Sequence, residues 1–440
     1  MKPIVAVSTP MGAGAISIVR LSGDGALDIA RKVFSCKQNI EPRKVILGTF
    51  NYNGIKEKCL LVYFKAPNSY TGEDIVEFQC HGGELLTREV LKALIDNGAS
   101  LAQNGEFTKR AFLNGKVSLD SAEGIIDVIN AGTEAELKAG YNLMSGKLLN
   151  MVKDLQDALT DELASIDMTL DYPEHDDEGE TLLHTGKVLE DIEIKLKEIL
   201  STAETGKLIK SGINAIILGK PNVGKSSLLN ALLGEDRAIV TDIAGTTRDT
   251  ITETISYKDI KINFIDTAGV HDSTNLVEKI GIDRTKKALD SADIVLLMLD
   301  SSSELSTEDK ELLKLTENKK RIILLNKMDK KKALDLPLEN ILISAKDGIN
   351  IDKVKEAIYN TFASGKIDTS GLILTNVRHI EALKNALEIC IKAKDACKNQ
   401  TADIVSFMLK ELWAELGKIT GETETESIID AIFSKFCLGK

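Results

Sequence analysis

The chain has 440 residues, too many for a single hydrophobic core, and this length suggests about three domains. Hydrophobic residues make up 43% of it and charged residues 28%, with only 7 prolines, so the composition is that of a folded globular protein. A net charge of −12 argues against binding nucleic acid mainly through phosphate contacts, and an aromatic content of 4% argues against a broad base-stacking surface.

Cysteine usage and hydropathy exclude two further classes of protein. The six cysteines are scattered and include no CxxC pair, which indicates a reducing compartment and no structural zinc site. No apolar run reaches about 18 residues, so no segment is predicted to span a membrane. The first residues lack signal-peptide or transit-peptide character, and we expect a cytoplasmic protein.

Residues 1–118 combine short β runs with one helical pattern, which predicts a small α+β domain. The predicted elements are the strands Ile16–Arg20, Val45–Tyr52, Cys59–Phe64 and Ile75–Cys80 and the helix Glu84–Asp96.

Residues 119–210 and 367–440 have helical periodicity, and each segment carries an apolar stripe that needs a partner. An acidic run at 171–178 interrupts the first segment and fits a solvated linker better than a metal site, and helical patterning returns at 186–202. Packing the two segments together buries both stripes, so we predict one discontinuous helical domain. The stripe residues are Leu148, Val152, Leu155, Leu159 and Ile166 in the first segment and Ile380, Leu383, Leu387, Cys390, Ile391, Ile404, Phe407, Met408, Leu412 and Leu416 in the second.

Residues 211–366 alternate apolar strands with helices, as in an open α/β sheet. The strand Ile213–Leu218 leads into GKPNVGKS and then a helical run, which is the context of a phosphate-binding P-loop. Its N–H groups can surround phosphates, Lys225 can reach the outer phosphates, and Ser226 can ligate Mg²⁺. The predicted phosphate-site residues are Asn222, Val223, Gly224, Lys225, Ser226 and Ser227.

Two further motifs suit the metal and the γ-phosphate. The strand Ile262–Ile265 ends in DTAG (Asp266, Thr267, Ala268 and Gly269), where the Asp can hold the Mg²⁺ shell and the Gly can donate its N–H to the γ-phosphate. Between this motif and the P-loop lies TDIAGTTRD, in which Thr247 is the candidate for the second Mg²⁺ ligand.

The base is identified by NKMD at 326–329, after the strand Ile322–Leu325. The Asp329 carboxylate can accept hydrogen bonds from N1–H and the 2-amino group of guanine, which adenine lacks. Asn326 and Lys327 complete this motif. Ser344 and Ala345, after the strand Ile341–Ile343, fit a loop whose backbone N–H contacts guanine O6. Five motifs in this order at strand ends predict a GTP-binding domain.

Val270 follows DTAG where Ras-like enzymes place a glutamine that orients the attacking water. Valine cannot form that hydrogen bond, so another polar group is needed. Glu278 is a candidate, although its position alone favours an ordinary surface glutamate. Arg248 fits either an arginine finger or an ordinary loop residue, and we leave it unassigned.

The set GKPNVGKSSLLNALL, TDIAGTTRD, DTAG, NKMD and SAK resembles the Era-like GTPases. The segments TPMGAGAISIVRLSG, PNSYTGEDIVEFQCHGG and GEFTKRAFLNGKVSLDSAEGIIDVI and the terminal FCLGK are similar to the bacterial tRNA uridine-modification GTPases of the MnmE/TrmE family. The resemblance covers essentially the whole chain, and FCLGK is its most specific element.

The resemblance implies an N-terminal α+β folate-binding domain at 1–118 that also dimerises, the helical domain at 119–210 and 367–440, and a Ras-like P-loop G domain at 211–366. It implies a homodimer that acts on tRNA with an FAD-containing partner of the MnmG/GidA type. The reaction would place a carboxymethylaminomethyl or aminomethyl group on C5 of the wobble uridine. A formyl- or methylene-tetrahydrofolate derivative would be a cofactor beside GTP, Mg²⁺ and K⁺.

Residue roles also follow from the resemblance. K⁺-dependent association of two G domains would activate hydrolysis, with Asn222, Thr241, Ile243 and Thr246 as K⁺ ligands and K⁺ in place of an arginine finger's charge. Glu278 matches the catalytic glutamate of the family. The folate-site matches are Arg20, Glu77, Lys116 and Lys440, and Cys437 matches a functional tail residue, either a nucleophile or a contact.

A second class of function fits the G motifs alone, namely a regulatory GTPase that assists ribosome assembly. Such relatives usually carry a basic RNA-binding module. The basic runs here, at 319–321 and 330–332, fit solvated surface, and the chain is acidic overall. The sequence therefore favours the tRNA-modification hypothesis.

Overall fold

The computed structural model describes residues 1–172, 177–234, 251–265, 289–363 and 371–439. The chain divides into two compact units. The first comprises Met1–Ile126, Leu143–Glu190 and Glu388–Lys440, and the second comprises Asp127–Asn142 and Asp191–Leu387. The domain boundaries expected from the sequence stay a prediction.

The first unit contains a seven-stranded sheet in the order β3-β4-β5-β6-β2-β1-β7. All neighbours are antiparallel except the parallel pair β1 and β7. Helices α1 (Ala26–Val33) and α2 (Glu84–Asp96) pack against the sheet and cover a core that includes Phe50 and Phe78. The strands are β1 (Ile4–Val7), β2 (Ile16–Ser22), β3 (Phe34–Ser35), β4 (Val45–Tyr52), β5 (Ile55–Phe64), β6 (Ile75–His81) and β7 (Ser100–Leu101). The expected strands and the helix of this region are confirmed.

Helices account for the segments that flank the second sheet. Before that sheet they are α3 (Glu106–Leu113), α4 (Leu119–Asn130), α5 (Glu134–Met144), α6 (Lys147–Asp171), α7 (Glu178–Ser201) and α8 (Ala203–Ser211). After it they are α12 (Val377–Asn399), α13 (Ala402–Thr420) and α14 (Glu426–Phe433). Across the described ranges, none of the helices combines the length and the apolar character that crossing a membrane requires.

Helices α6 and α13 pack against each other within the first unit. All five predicted stripe residues of α6 are buried, so that stripe is confirmed. The predicted stripe of α13 is wrong at Ile404 and Phe407, which are 38% and 69% exposed. The buried face consists instead of Val405, Leu409, Leu412, Leu416 and Ile419. Spacings of three and four residues permit either face, and packing against α6 selects this one.

Two smaller corrections concern neighbouring helices. Ile391 of α12 is 37% exposed, so its placement on the buried stripe was wrong, whereas Leu383 and Cys390 are buried. Helix α7 begins at Glu178 rather than near residue 186. Glu178 and Glu180 lie in the first turn of α7, where acidic residues interact favourably with the positive end of the helix.

The second unit contains a six-stranded sheet in the order β13-β12-β11-β8-β10-β9. The strands are parallel except for the hairpin of β9 and β10. They are β8 (Ile213–Leu218), β9 (Ile251–Tyr257), β10 (Ile260–Ile265), β11 (Ile294–Asp300), β12 (Arg321–Asn326) and β13 (Asn340–Leu342). The associated helices are α9 (Lys225–Leu233), α10 (Thr307–Leu315) and α11 (Ile351–Phe362). The predicted class of mixed α/β and helical parts is confirmed.

The central strands of this sheet are nearly continuous apolar runs because both of their faces are covered. One cluster includes Leu228 of α9 and Val354 of α11, and another includes Leu297 of β11 and Leu325 of β12. These cores hold the strand ends, and with them the polar loops that follow, in place.

Gly206 of α8 gives a test of the close packing in the second unit. A Cβ there would lie 1.8 Å from the carbonyl oxygen of Leu374. Because a backbone atom cannot move aside locally, we expect Gly206→Ala to cost about 1–3 kcal/mol of stability. Thermal unfolding followed by circular dichroism would measure the loss.

Gly186→Ala is the matched control for this substitution. Gly186 lies inside α7, and a Cβ there would lie 3.7 Å from that of Cys397 on α12, an ordinary van der Waals contact. Alanine there should be neutral or gain roughly 0.5–1 kcal/mol through helix propensity. Equal melting temperatures for Gly206→Ala and the wild-type chain would contradict the predicted clash.

Candidate nucleotide-binding site

The predicted phosphate loop joins β8 to α9 at the carboxyl edge of the second sheet. The chain leaves β8 at Leu218 and enters α9 at Lys225. Parallel strands β11 and β12 end at the same edge, with Asp300 and Asn326 as register partners. Ligands of open α/β sheets bind at this edge, where the loops after parallel strands meet.

Backbone geometry explains the glycines of the loop. Gly224 has φ +107, and a Cβ there would lie 2.3 Å from Nδ2 of Asn326. Gly219 has φ +159, and its Cβ would lie 2.7 Å from the carbonyl oxygen of Met298. Asn222 is exposed with φ 62, a left-handed conformation that asparagine tolerates. Side chains at the two glycines would block the close approach of the loop to its neighbours.

Lys225 folds back over the loop. Its Nζ donates hydrogen bonds to the carbonyl oxygens of Gly219 at 2.9 Å and Lys220 at 3.1 Å. Burial lowers the pKa of Lys225 from its ordinary value. A phosphate oxygen could replace these carbonyl acceptors and add a full negative charge. Ser226 and Ser227 follow in the first turn of α9, where backbone N–H groups favour anions.

Asn326 connects the phosphate loop to the loop after β13. Its Nδ2 donates to the carbonyl oxygen of Val223 at 2.8 Å, and its Oδ1 accepts from the N–H of Ala345 at 2.9 Å. The residue is only 4% exposed. The structure therefore brings together the phosphate loop, the NKMD motif and the Ser344–Ala345 segment.

Lys327 is held by a carboxylate that we did not single out in the sequence. Its Nζ donates to Oδ2 of Asp300 at 2.6 Å. Burial of Asp300 favours the neutral acid, yet hydrogen bonds from Lys327 and Ser302 hold the pKa of Asp300 at about 2. Asp300 therefore stays ionised at neutral pH, and its contact with Lys327 fixes the start of the loop that carries Asp329.

Asp329 presents an exposed carboxylate beside a buried serine. The Ser344 hydroxyl oxygen lies 3.2 Å from Oδ1 of Asp329 and 2.7 Å from Oδ2 of Asp347. Ser344 is fully buried, whereas Asp329 is exposed. This arrangement orients the Asp329 carboxylate and leaves it accessible to a base with two adjacent N–H donors.

Several predicted site residues lie outside the described residues. These are Thr241, Ile243, Thr246, Thr247, Asp266, Thr267, Ala268, Gly269, Glu278 and Lys440. Their roles remain predictions.

The predicted folate residues Arg20 and Glu77 form an ion pair in the first unit. They are register partners on β2 and β6, so their side chains share one face of the sheet. Nε of Arg20 donates to Oε1 of Glu77 at 2.8 Å. The rings of Tyr70 and Phe107 lie 5.9 and 5.8 Å from the guanidinium carbon of Arg20. Neither ring was singled out in the sequence, where no spacing links them to Arg20.

The C-terminal tail reaches the same place. The carbonyl oxygen of Gly439 accepts hydrogen bonds from the hydroxyl of Ser8 at 3.2 Å and from Nη1 of Arg20 at 3.4 Å. Gly439 has φ +90, and a Cβ there would lie 2.2 Å from the carbonyl oxygen of Val7. Cys437, two residues before Gly439, is exposed. Gly439 therefore lies beside Arg20.

Lys116 is exposed and lies beside the loop that carries Tyr70. A Cβ on Gly72 would lie 3.3 Å from its Cε. Arg20, Glu77 and the tail form one group of contacts, and Lys116 touches the neighbouring loop.

Two family models match the chain. One, described as the GTP-binding protein TrmE N-terminus, matches residues 3–116, and the other, described as the MnmE helical domain, matches residues 119–437. Among solved structures, the G domain of the T. maritima FeoB iron transporter is 27% identical and covers 34% of this chain and 97% of its own, with a TM-score of 0.26. A score this low carries no argument about the fold.

Known relatives match over the full length. The tRNA modification GTPase MnmE of Desulforamulus reducens is 43% identical, covering 99% of this chain and 99% of that protein. The protein of the same name from Ligilactobacillus salivarius is 42% identical, covering 99% of this chain and 98% of that protein. The one from Clostridioides difficile is 41% identical, covering 99% of both chains. Identity at this level along the whole length shows that the chain belongs to the MnmE family of tRNA modification GTPases.

Proposed function

We propose that this GTPase acts with an FAD-containing partner to place a carboxymethylaminomethyl or aminomethyl group on C5 of the tRNA wobble uridine. The observation that carries the proposal is the coexistence, in one chain, of the Asn326-linked nucleotide site and a full-length match to tRNA modification GTPases. The chain would work as a homodimer in the cytoplasm, where its tRNA substrate is found.

In the nucleotide site, Lys225 would bind the outer phosphates and Asp329 would select guanine. The hydroxyl of Ser226, at the second position of α9, suits Mg²⁺ because that cation prefers oxygen ligands. Mg²⁺ would neutralise charge on the phosphates. Thr247 is the proposed second side-chain ligand, and Asp266 is proposed to hold the Mg²⁺ shell.

The folate site would lie around Arg20. Its guanidinium can attract the carboxylates of a folate, and the rings of Tyr70 and Phe107 offer apolar surface to a pteridine. Glu77 would accept from pteridine amino groups, and Lys116 and Lys440 would add positive charge. A bound formyl- or methylene-tetrahydrofolate would supply the one-carbon unit. The exposed Cys437, two residues from Gly439, would lie near that site as a contact or a nucleophile.

The tRNA reaction can be tested in a strain that lacks this gene. We expect the C5-modified wobble uridine to disappear from digested bulk tRNA, as measured by nucleoside mass spectrometry, and to return with a wild-type copy. An unchanged nucleoside profile, or co-sedimentation of the protein with ribosomal subunits rather than a flavoprotein, would favour the ribosome-assembly function.

Potassium activation is the second testable part. Asn222 offers an amide oxygen from an exposed left-handed position of the phosphate loop, and an oxygen donor suits a hard monovalent cation. Thr241, Ile243 and Thr246 would complete the site. We expect GTP turnover to be faster in KCl than in NaCl at equal ionic strength, and Asn222→Ala to lose most of this difference.

The neighbouring Lys220 and Val223 are unsuitable controls because they anchor the loop, so exposed Lys310→Met serves instead. It should keep the full potassium effect. Equal rates in the two salts for the wild-type chain would refute potassium activation.

Glu278 is proposed as the group that positions the attacking water in place of the missing glutamine at Val270. A group that acts mainly in the transition state affects kcat more than binding. We expect Glu278→Ala to keep GTP affinity within about threefold and to lose roughly 100-fold or more in kcat, in line with the loss of one general acid–base group. A wild-type kcat in Glu278→Ala would show that Glu278 has no role in GTP hydrolysis.

A further inference from the structure

The second residue of the phosphate loop pairs with a carboxylate outside the loop. Nζ of Lys220 donates to Oδ2 of Asp309 at 3.0 Å. The Lys220 side chain is 20% exposed and that of Asp309 only 2%. A carboxylate buried this deeply needs a charged partner to remain ionised, and Lys220 is that partner.

Asp309 also organises the start of α10. Its Oδ2 accepts from the backbone N–H of Ser306 at 3.0 Å and from the Ser306 hydroxyl at 2.8 Å. The N–H of Asp309 donates back to the same hydroxyl at 3.3 Å, which completes a capping box. The carboxylate is thus fixed to the first turn of a helix and provides a rigid anchor.

The backbone of Lys220 is part of the phosphate loop itself. Its carbonyl oxygen accepts from Nζ of Lys225 at 3.1 Å and from the N–H of Val223 at 3.4 Å. Lys220 therefore joins the anchor at its side chain to the loop at its main chain. Its ammonium group is directed to Asp309.

We propose that the Lys220–Asp309 pair positions the phosphate loop for the β-phosphate of a guanine nucleotide. Lys220 acts through the loop and does not touch the nucleotide. This inference rests on the nucleotide site of the proposed function and adds a positioning residue to it. Binding of the base, which depends on Asp329 and Asn326, should be affected much less than binding of the β-phosphate.

The test uses the full-length chain and the fluorescent nucleotide mant-GDP. We expect Lys220→Met to weaken mant-GDP binding about 10-fold, a coupling of the size found for contacting charged groups. The affinity of Lys220→Met for GMP, which lacks the β-phosphate, should fall less than about threefold when measured by displacement of mant-GDP. Lys220→Arg, which retains the charge, should bind mant-GDP within about threefold of wild type.

The double variant tests the pairing itself. If the two groups act as a unit, Lys220→Met with Asp309→Asn should bind mant-GDP no more weakly than Lys220→Met alone. Lys310→Met, an exposed lysine next to Asp309 on α10, is the matched control and should bind like the wild-type chain. Circular dichroism melting of every variant separates loss of binding from loss of folding.

Wild-type affinity for mant-GDP in a folded Lys220→Met variant would overturn the proposal. Equal losses of affinity for mant-GDP and GMP in that variant would also overturn it. So would tighter binding of mant-GDP by Asp309→Asn, because that result would indicate that Lys220, freed from Asp309, contacts phosphate directly. If Lys220→Met does not fold, the same measurements are made on Asp309→Asn. The proposal then requires that its affinity for mant-GDP falls while its affinity for GMP stays at the wild-type value. Failure of the wild-type chain to bind mant-GDP would instead contradict the nucleotide site of the proposed function.

Discussion

The two hydrogen bonds of the Asn326 amide hold the nucleotide site together. The side chain is buried, donates to the phosphate loop at Val223 and accepts from Ala345 after β13. Leaving either hydrogen-bonding partner unpaired in the interior would cost about 1–3 kcal/mol of stability. The two bonds therefore stabilise the relative positions of the phosphate loop, the NKMD loop and the Ser344–Ala345 loop. That arrangement is available only because β8, β11, β12 and β13 are parallel and end at one edge.

The lysines around this amide have different partners. Lys327 pairs with Asp300, and Lys220 pairs with Asp309. Both carboxylates belong to the same segment, the end of β11 and the start of α10. Lys225 instead donates to two carbonyl oxygens. Because these acceptors are uncharged, they do not neutralise its positive charge. A net charge of −12 on the chain is therefore compatible with a local attraction for phosphate.

A comparable long-range constraint operates in the first unit. Arg20 holds Glu77 on the neighbouring strand and the carbonyl oxygen of Gly439 at the end of the chain. The tail can pass so close to β1 only because residue 439 is a glycine in a left-handed conformation beside Val7. The fold thus brings Gly439 into contact with Ser8 and Arg20, which are more than 400 residues away in sequence.

The sequence by itself determined the elements and the motifs of this protein. The strand Ile213–Leu218 and the stripe of α6 were recognisable because a continuous apolar run and a period of 3.6 residues are local properties of the chain. The GKPNVGKS and NKMD motifs were recognisable because phosphate and guanine demand particular residue types at short spacing.

Only the tertiary structure decided which face of α13 is buried, since Ile404 and Phe407 have acceptable spacing but are exposed in the helix that packs against α6. It also decided the partners Asp300 and Asp309, which lie 27 and 89 residues from Lys327 and Lys220. Such pairs leave no periodic signal in the sequence, because their proximity depends on strand order and helix placement rather than on neighbouring residues.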